Sequence, residues 1–350
     1  MQTFHEILHT SSAHLNAIRD KSVALVVTSP PYPMIEMWDE IFINQNPSIG
    51  EALQHFDGNQ AFELMHETLD AIWEEVDRKI IDSGFVCINI GDATKTINGQ
   101  FQLYPNHARI IRKFSEMGYS VLPDIIWRKQ TNAPNKFMGS GMYPAGAYVT
   151  FEHEYILIFR KGGKREFKSK DEKQMRQESA YFWEERNVWF SDLWDIKGTG
   201  QQMKVEKSRD RSGAYPFELA YRLINMYSVK GDTVLDPFVG TGTTIYAAMC
   251  AGRNSYGAEI DMELALSIAQ NAGTIQKSLN TIIQNRLDQH IKFVQTEEEK
   301  GKDKWYINLP HQFKVKTKQE MNLSLPFIEN ILSMDNKVFV TYSGNTPSGT

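Results

Sequence analysis

The amino-acid sequence predicts an α/β protein built on a doubly wound, mostly parallel sheet. Two observations point to this fold class. Short apolar runs rich in β-branched residues alternate with longer segments whose apolar residues recur at helical spacing. Loops rich in glycine and proline directly follow two of the predicted strands, and in doubly wound sheets such loops lie together along the carboxyl edge. We therefore expect a ligand site at that edge.

The first half of the chain supplies four predicted strands, of which the first two are short apolar runs typical of buried strands. They cover residues 23–27, 84–90, 119–127 and 154–159. Two segments with helical periodicity lie between them, at about 60–82 and 105–117. A loop rich in Gly, Pro and Asn, about 130–150, separates the last two strands.

The second half repeats the alternation after an interruption. Its predicted elements are a helix at 216–227, a strand at 233–235, a helix at 243–251, a strand at 255–258 and a helix at about 262–285. The region between about 161 and 211 shows no alternation: it begins with many Lys and Arg residues and continues with closely spaced aromatic residues. We interpret it as an insertion whose aromatic residues form a small core of their own.

Composition narrows the class of protein. The apolar fraction of 41% and the charged fraction of 23% are ordinary for a globular chain. The sequence has no apolar run long enough to span a membrane and no secretory signal pattern, and Cys87 and Cys250 are too few for a disulfide framework. From the few cysteines and the missing signal pattern we expect a cytoplasmic protein. No Cys/His cluster has zinc spacing, so we expect no metal. The net charge of −5 argues against a protein that coats nucleic acid, but leaves room for a local basic surface.

The strongest motif is the glycine-rich segment 234–244, Val-Leu-Asp-Pro-Phe-Val-Gly-Thr-Gly-Thr-Thr. Gly240 and Gly242 permit a sharp turn and close approach of a ligand, and the following helix offers free N–H groups to an anion. The segment lacks the lysine of a phosphate-binding loop. Asp236 ends the strand, and Glu259 ends the next one, where nucleotide-binding folds place a carboxylate for ribose hydroxyls. The motif fits a ligand with an amino-acid end and a ribose end; the alternative is a purely structural junction.

The second motif, Thr-Ser-Pro-Pro-Tyr-Pro at 28–33, directly follows the first predicted strand. The Ser29 hydroxyl and the Pro30 carbonyl are two acceptors that can engage both N–H bonds of an aromatic amino group. Pro31 stiffens the peptide and removes an N–H donor. Tyr32 adds a ring face on which a planar base can stack. Taken alone, such a sequence is also a common turn.

The two motifs, in this order, resemble the amino-methyltransferases of bacterial restriction–modification systems, and specifically the permuted β class. The similarity extends to four further segments and covers about residues 20–275. These segments are 84–92, 124–129, 153–161 and 215–224. The chain departs from the family pattern at 9–12 and 211–216, which leaves the contacts at those places open.

The resemblance implies a Rossmann-like methyltransferase sheet that binds S-adenosylmethionine and a flipped base of duplex DNA. It implies that the base is held by Ser29, Pro30, Pro31 and Tyr32. It implies that the cofactor is surrounded by Asp236, Pro237, Phe238, Gly240, Gly242, Thr243 and Glu259. The expected organisation is a catalytic half at 1–160, a target recognition insertion at 161–211, a cofactor-binding half at 212–285 and an extension of unassigned role at 286–350.

The residue at position 29 bears on which base is methylated. In the family, serine usually accompanies the N4 amino group of cytosine and aspartate accompanies adenine, so the resemblance favours cytosine. Adenine N6, RNA as substrate, and an inactive relative that only binds nucleic acid remain alternatives. Methylation of a ring carbon would need a cysteine nucleophile, and neither cysteine lies in a Pro-Cys loop.

The basic start of the insertion is the sequence candidate for phosphate contacts. Its residues are Arg160, Lys161, Lys164, Arg165, Lys168 and Lys170. The alternative is a solvated loop face. The expected partners are double-stranded DNA and, in function, a cognate restriction endonuclease; a homodimer is left open.

Overall fold

The computed structural model describes residues 1–129, 141–197, 215–302 and 304–343. Its strands are β1 (Gln2–His9), β2 (Val23–Thr28), β3 (Ile80–Ile90), β4 (Ala93–Ile97), β5 (Gln100–Tyr104), β6 (Ser120–Arg128), β7 (His153–Arg160), β8 (Leu193–Trp194), β9 (Thr233–Asp236), β10 (Asn254–Glu259), β11 (Tyr306–Ile307), β12 (Lys314–Val315), β13 (Phe327–Met334) and β14 (Lys337–Ser343). Its helices are α1 (Glu36–Gln45), α2 (Ser48–Gln54), α3 (Gly58–Lys79), α4 (Asn106–Glu116), α5 (Lys170–Glu178), α6 (Trp183–Trp189), α7 (Phe217–Tyr227), α8 (Thr243–Ala251), α9 (Met262–Asn271), α10 (Gln276–Glu299) and a 3₁₀ turn at Lys318–Glu320.

Ten of the fourteen described strands form one sheet in the order β13-β14-β1-β10-β9-β2-β3-β7-β6-β8, and the pairs β4-β5 and β11-β12 form two separate two-stranded sheets. The five central strands, β1, β10, β9, β2 and β3, pair in parallel, while β7 runs antiparallel to both β3 and β6. The predicted fold class, a mostly parallel doubly wound sheet, is therefore confirmed. All five parallel strands end at the same edge of the sheet, which we call the carboxyl edge.

The sheet has a hydrophobic core on each face, as the apolar strands predicted. Leu25 and Val27 of β2 pack into the core under α7, α8 and α10, whereas Val26 packs into the core under α3 and α4. All six residues of β2 are buried, since alternate side chains on this strand enter opposite cores. The strand is thus fixed on both faces, and the position of the loop that follows it is fixed with it.

The C-terminal extension differs from the sequence prediction. The helix expected at about 262–285 is two helices, α9 and α10, separated by a turn around Gly273, and α10 continues to Glu299. Farther on, β13 and β14 form a hairpin, and β14 pairs antiparallel with β1. The extension thereby widens the sheet beside β1, a strand that apolar runs alone did not reveal.

The insertion is less separate than the sequence suggested. Phe182, Trp189 and Trp194 are buried in the main core under α7 and α10, so the expectation of a separate small core is wrong. Phe182 stacks on His290 of α10 with ring centroids 3.9 Å apart. β8 pairs with β6, which adds a strand to the sheet. Residues 198–211 of the predicted insertion, and 130–140 of the predicted loop, lie outside the described residues.

Within the described ranges, no helix is both long enough and apolar enough to cross a membrane.

Candidate active site

The two sequence motifs meet at the carboxyl edge. β2 and β9 are neighbours, with Val26 opposite Leu235, so the loops that follow them leave the sheet side by side. The hydroxyl of Thr28, the last residue of β2, donates a 2.6 Å hydrogen bond to Oδ1 of Asp236, the last residue of β9. Positions 208 residues apart in the chain are therefore joined directly.

Asp236 is the centre of this junction. Its side chain is 2% exposed, and its two oxygens accept four hydrogen bonds. The donors are the hydroxyls of Thr28, Thr244 and Tyr215 and the backbone N–H of Phe238. Burial raises the pKa of the Asp236 carboxyl, and the hydrogen bonds oppose that rise. The carboxylate is thus saturated by protein donors and joins three segments of the site.

The glycine-rich loop wraps closely around the end of β9. Gly240 has a φ of +51°, and its N–H donates a 3.0 Å hydrogen bond to Glu259 Oε2. Gly242, with a φ of +87°, is the N-cap of α8, and a Cβ there would lie 2.8 Å from Cγ2 of Ile268. Glycine is therefore needed at position 242 both for its backbone conformation and for space. Among the other predicted residues, Pro237 is buried and Thr243 is half-buried at the start of α8.

The end of β10 supplies a second carboxylate. Glu259 is half-buried, and besides Gly240 it accepts a 3.0 Å hydrogen bond from the N–H of Asp261. Burial raises the pKa of Glu259. Phe238 is also half-buried, and its ring meets the ring of Trp73 edge-on, with centroids 5.9 Å apart. A half-buried carboxylate, an aromatic ring and a sharply turning backbone form a cradle suited to a nucleoside.

The stretch that departs from the family pattern, 9–12, begins at the last residue of β1 and runs beside this cradle. The N–H of Thr10 donates to the carbonyl of Glu259 at 3.1 Å. The hydroxyl of the buried Ser12 donates to the carbonyl of Pro237. The stretch therefore supports the glycine-rich loop from the side, a role that required knowing that β1 pairs with β10.

The second sequence motif, residues 28–33, which we call the catalytic motif after its predicted role, is held by a polar network. Ser29 is half-buried, and its hydroxyl is 3.1 Å from the hydroxyl of Tyr32. Tyr32 in turn is 2.9 Å from Glu154 Oε2 and 2.8 Å from Asn89 Nδ2. Burial, reinforced by the Glu154 charge, raises the pKa of Tyr32 well above its usual value. Tyr32 therefore stays protonated throughout the neutral range. In the same motif, Pro30 is buried and Pro31 half-buried.

A second set of contacts fixes the far end of the motif. The amide of the fully buried Asn106 donates to the carbonyls of Pro33 and Gly91, at 3.1 and 3.0 Å. Its oxygen is 3.0 Å from Nε2 of His66, whose pKa burial lowers to about 3. His66 is thus neutral and donates through Nε2. Asn106 ties the loops after β2 and β3 together.

Sequence reasoning missed Asn89, Glu154 and Asn106, as well as Lys129, whose ammonium pairs with Glu154 Oε1. Asn89 and Glu154 stand near the ends of apolar strands, and a polar residue at such a position is the only signal that could have marked them. Asn106 looked like an ordinary first residue of a helix. Their roles come from the pairing of β3 with β7, which brings Glu154 beside Asn89, with Glu154 Oε2 2.7 Å from Asn89 Nδ2.

The basic residues predicted to contact phosphates lie elsewhere. Because β7 is antiparallel, Arg160 at its end stands opposite Phe85, midway along β3 and away from the carboxyl edge. Lys161 pairs with Asp77 at 2.7 Å, and Arg165 grips Asp232, the residue before β9, with contacts of 2.6 and 2.9 Å. Lys164, Lys168 and Lys170 follow, exposed. The structure does not bring these six residues together with the catalytic motif.

The end of the described insertion does return to the carboxyl edge. The carbonyl of Ile196 accepts a 2.8 Å hydrogen bond from Nε1 of Trp127, near the end of β6. Tyr215, on the other side of residues 198–214, donates to Asp236. The two described ends of this part of the chain thus flank the catalytic motif.

Both cysteines are fully buried, Cys87 in β3 and Cys250 in α8. Burial raises the pKa of both thiols, to about 12 for Cys250. Neither is accessible as a nucleophile. Among the described residues, no group of three or more His, Cys, Asp or Glu side chains is arranged to hold a metal ion.

Comparisons with known proteins agree with this geometry. The model of the N6/N4 DNA methylase family matches residues 23–271. The chain is 53% identical over 341 residues to the type II methyltransferase M.MthZI of Methanothermobacter thermautotrophicus, covering 97% of this chain and 95% of that protein. It is 47% identical over 304 residues to the type II methyltransferase M.MjaI of Methanocaldococcus jannaschii, covering 83% of this chain and 97% of that one.

Two solved structures share the fold. A DNA modification methylase of Thermus thermophilus, complexed with S-adenosyl-L-methionine, is 29% identical with a TM-score of 0.60, covering 77% of this chain and 93% of that one. The cytosine-N4-specific PvuII DNA methyltransferase matches with a TM-score of 0.53 at 17% identity, covering 77% of this chain and 86% of that one, which shows the fold alone. With the family model matching most of the chain, the protein belongs to the N6/N4 DNA methylase family and is a DNA methyltransferase.

Proposed function

We propose that this protein transfers a methyl group from S-adenosylmethionine to the exocyclic N4 amino group of cytosine in duplex DNA. The observation that carries the proposal is the Thr28–Asp236 hydrogen bond, which joins the Ser-Pro-Pro-Tyr loop to the glycine-rich loop at one edge of the sheet. A base held at the first loop and a cofactor held at the second would lie side by side. The likeness to type II methyltransferases supports a role in protecting host DNA from a cognate restriction endonuclease.

The glycine-rich cradle suits S-adenosylmethionine by its chemistry. Glu259 keeps acceptor capacity for ribose hydroxyls, and Phe238 offers a ring face beside it. Asp236, with four protein donors, positions the glycine-rich loop from within. When bound, the cofactor supplies an electrophilic methyl group on a sulfonium.

The chain's own residues provide orientation and acceptors. Ser29 Oγ and the carbonyl of Pro30 accept from the two N–H bonds of the target amino group and draw its lone pair out of conjugation with the ring. Tyr32 presents its ring to the flipped base. Because these acceptors are fixed before the base arrives, they stabilise the charge that develops on the nitrogen without reorganisation. The proton leaves after transfer, toward water.

The choice of cytosine rests on the hydroxyl at position 29, where the family's adenine enzymes usually carry a carboxylate. One structural observation favours adenine N6 as a second candidate. The Ser29 hydroxyl lies 3.1 Å from Tyr32, so its proton can be directed inward and its oxygen left as an acceptor, as a carboxylate would be. Either amino group can donate to such an acceptor.

Transfer of a tritiated methyl group to unmethylated duplex DNA, followed by nucleoside analysis, tests the proposal. Label in N4-methylcytosine is the expected result. Label in N6-methyladenine would establish the second candidate and overturn the first. DNA binding without any label would contradict both and indicate a protein that only binds nucleic acid.

Gly242→Ala is expected to weaken cofactor binding about tenfold or more and to lower stability by about 1–3 kcal/mol. The added methyl would lie 2.8 Å from Ile268, and the alanine would have to adopt a positive φ. Both effects would shift the start of α8. Isothermal titration calorimetry with S-adenosylmethionine measures the affinity. Gly273→Ala, where a Cβ has open space, is the matched control; equal affinity in both variants would contradict the assignment.

Removing the exposed charges of Lys168 and Lys170 together, by substitution with alanine, is expected to leave KM for DNA within about twofold of wild type. Both residues follow β7 at the edge opposite the catalytic motif, and Lys168 pairs with Glu166 at 3.1 Å. Steady-state kinetics at two salt concentrations measures the effect. A rise in KM for DNA, together with a shallower dependence of KM on salt, would indicate that Lys168 and Lys170 contact DNA phosphates.

A further inference from the structure

A chain of hydrogen bonds connects Ser29 to a buried carboxylate on β7. Glu154 is 7% exposed, and its Oε2 lies 2.9 Å from the hydroxyl of Tyr32 and 2.7 Å from Nδ2 of Asn89. The Tyr32 hydroxyl lies 2.8 Å from the same Asn89 nitrogen and 3.1 Å from Ser29 Oγ. Asn89 and Glu154 lie on strands of the sheet, and Ser29 and Tyr32 lie in the loop that follows β2.

The carboxylate fixes the direction of every bond in the chain. An ionised carboxylate only accepts, so the single hydroxyl proton of Tyr32 is donated to Glu154. Asn89 must turn its amide nitrogen, with two protons, toward both Glu154 and Tyr32. The oxygen of Tyr32 can then only accept, and the proton of Ser29 points toward it. The lone pairs of Ser29 Oγ are left facing away from the network.

We propose that Glu154 is a positioning residue that, acting through Tyr32, holds the Ser29 hydroxyl as an acceptor for the target amino group. This inference rests on the proposed function. Without Glu154, the Tyr32 proton could turn toward Ser29, and the Ser29 proton would then oppose the N–H bonds of the base. The carboxylate therefore selects the productive one of two hydroxyl orientations before the substrate enters.

The surroundings support a fixed carboxylate. The other oxygen of Glu154, Oε1, pairs with the ammonium of Lys129, which balances the buried charge. Gly91 leaves room for the contact: a Cβ there would lie 3.0 Å from the ring of Tyr32 and 3.3 Å from Cγ of Glu154. Burial and the Glu154 charge raise the pKa of Tyr32, so its proton remains available as a donor.

A double-mutant cycle between Glu154 and Tyr32 tests the proposal. Glu154→Ala and Tyr32→Phe are each expected to lower kcat by about 10- to 100-fold, with the Kd for S-adenosylmethionine unchanged. In the Tyr32→Phe background, Glu154→Ala is expected to add little, because the hydroxyl through which it acts is absent. Glu154→Gln, whose amide oxygen can still accept from Tyr32, is expected to recover most of the activity. Glu152→Gln, two residues earlier, is the matched control: Glu152 is half-buried, and its carboxylate lies 3.7 Å from Arg128 and outside the network.

The possible outcomes separate this proposal from the function on which it rests. A wild-type protein that transfers no methyl group would contradict the proposed function. A wild-type rate that survives Tyr32→Phe unchanged, or losses that multiply in the double variant, would overturn the positioning role alone. Tyr32→Phe keeps the test valid even where Glu154→Ala lowers stability, because it breaks the chain without touching the carboxylate.

Discussion

Ser29→Ala is expected to lower kcat for methyl transfer by about two to three orders of magnitude. In the proposed mechanism, the substitution removes one of two fixed acceptors that act on the amino group as charge develops on its nitrogen. The fold should tolerate it, because Ser29 is half-buried and its hydrogen bond to Tyr32 is 3.1 Å long, while Asn89 and Glu154 still hold the tyrosine. The cofactor cradle contains no contact to Ser29 among the described hydrogen bonds. The Kd for S-adenosylmethionine should therefore stay at the wild-type value.

Single-turnover kinetics with excess enzyme isolates the chemical step from product release. Ser22→Ala is the matched control, since Ser22 precedes the same strand at the opposite edge and its hydroxyl bonds only the nearby carbonyl of Arg19 at 2.6 Å among the described contacts. Turnover of Ser29→Ala within about twofold of wild type would remove Ser29 from the mechanism.

The meeting of the two motifs at one edge of the sheet could be predicted, because the signals that end their strands are local in the sequence. A wholly apolar strand followed by Pro-Pro, and another followed by Gly-x-Gly, must each end at a loop, and parallel strands place such loops on one edge. The hydrogen bond between Thr28 and Asp236 follows from the adjacency of β2 and β9. The sequence also indicated Glu259 correctly as the last residue of its strand.

The direction of β7 could not be predicted, and it decides where the residues predicted to contact phosphates lie relative to the two motifs. An apolar strand buried on both faces has the same pattern whether it runs parallel or antiparallel to its neighbour. Because β7 is antiparallel, the basic residues that follow it leave at the edge opposite the site, while Glu154 at its start enters the site. The antiparallel direction of β7 therefore places the six predicted basic residues away from the catalytic motif and places Glu154, which the sequence did not indicate, beside it.

The interior of the catalytic network was hidden for a related reason. Asn89, Asn106 and Glu154 are single polar residues whose partners in the network lie between 15 and 122 residues away along the chain. The pairing of β3 with β7 brings Glu154 to Asn89, and the approach of the loops after β2 and β3 brings Asn106 to its acceptors. β1 was missed because its alternating, half-exposed pattern is short, and its pairing with β14 depends on the far end of the chain.

Asp236→Ala is expected to lower the free energy of unfolding by about 3–5 kcal/mol. The substitution leaves four donors, on Thr28, Thr244, Tyr215 and Phe238, facing a buried space without their acceptor. It also breaks the direct link between the two loops, so methyl transfer should fall together with stability. Urea denaturation followed by circular dichroism measures the change. Asp261→Ala, which removes the side-chain N-cap of α9, is the comparison variant and should lower the free energy of unfolding by about 1 kcal/mol.

Asp236→Asn distinguishes the charge of this residue from its geometry. Burial raises the pKa of the carboxyl, which means that the folded protein favours the neutral form more than the unfolded chain does. The asparagine oxygen can keep the bonds from Thr28 and Phe238, and the hydroxyls of Thr244 and Tyr215 can rotate to accept from its amide. Asp236→Asn should therefore lose much less stability than Asp236→Ala. Equal losses would mean that the negative charge itself, rather than the set of acceptors, holds the two loops together.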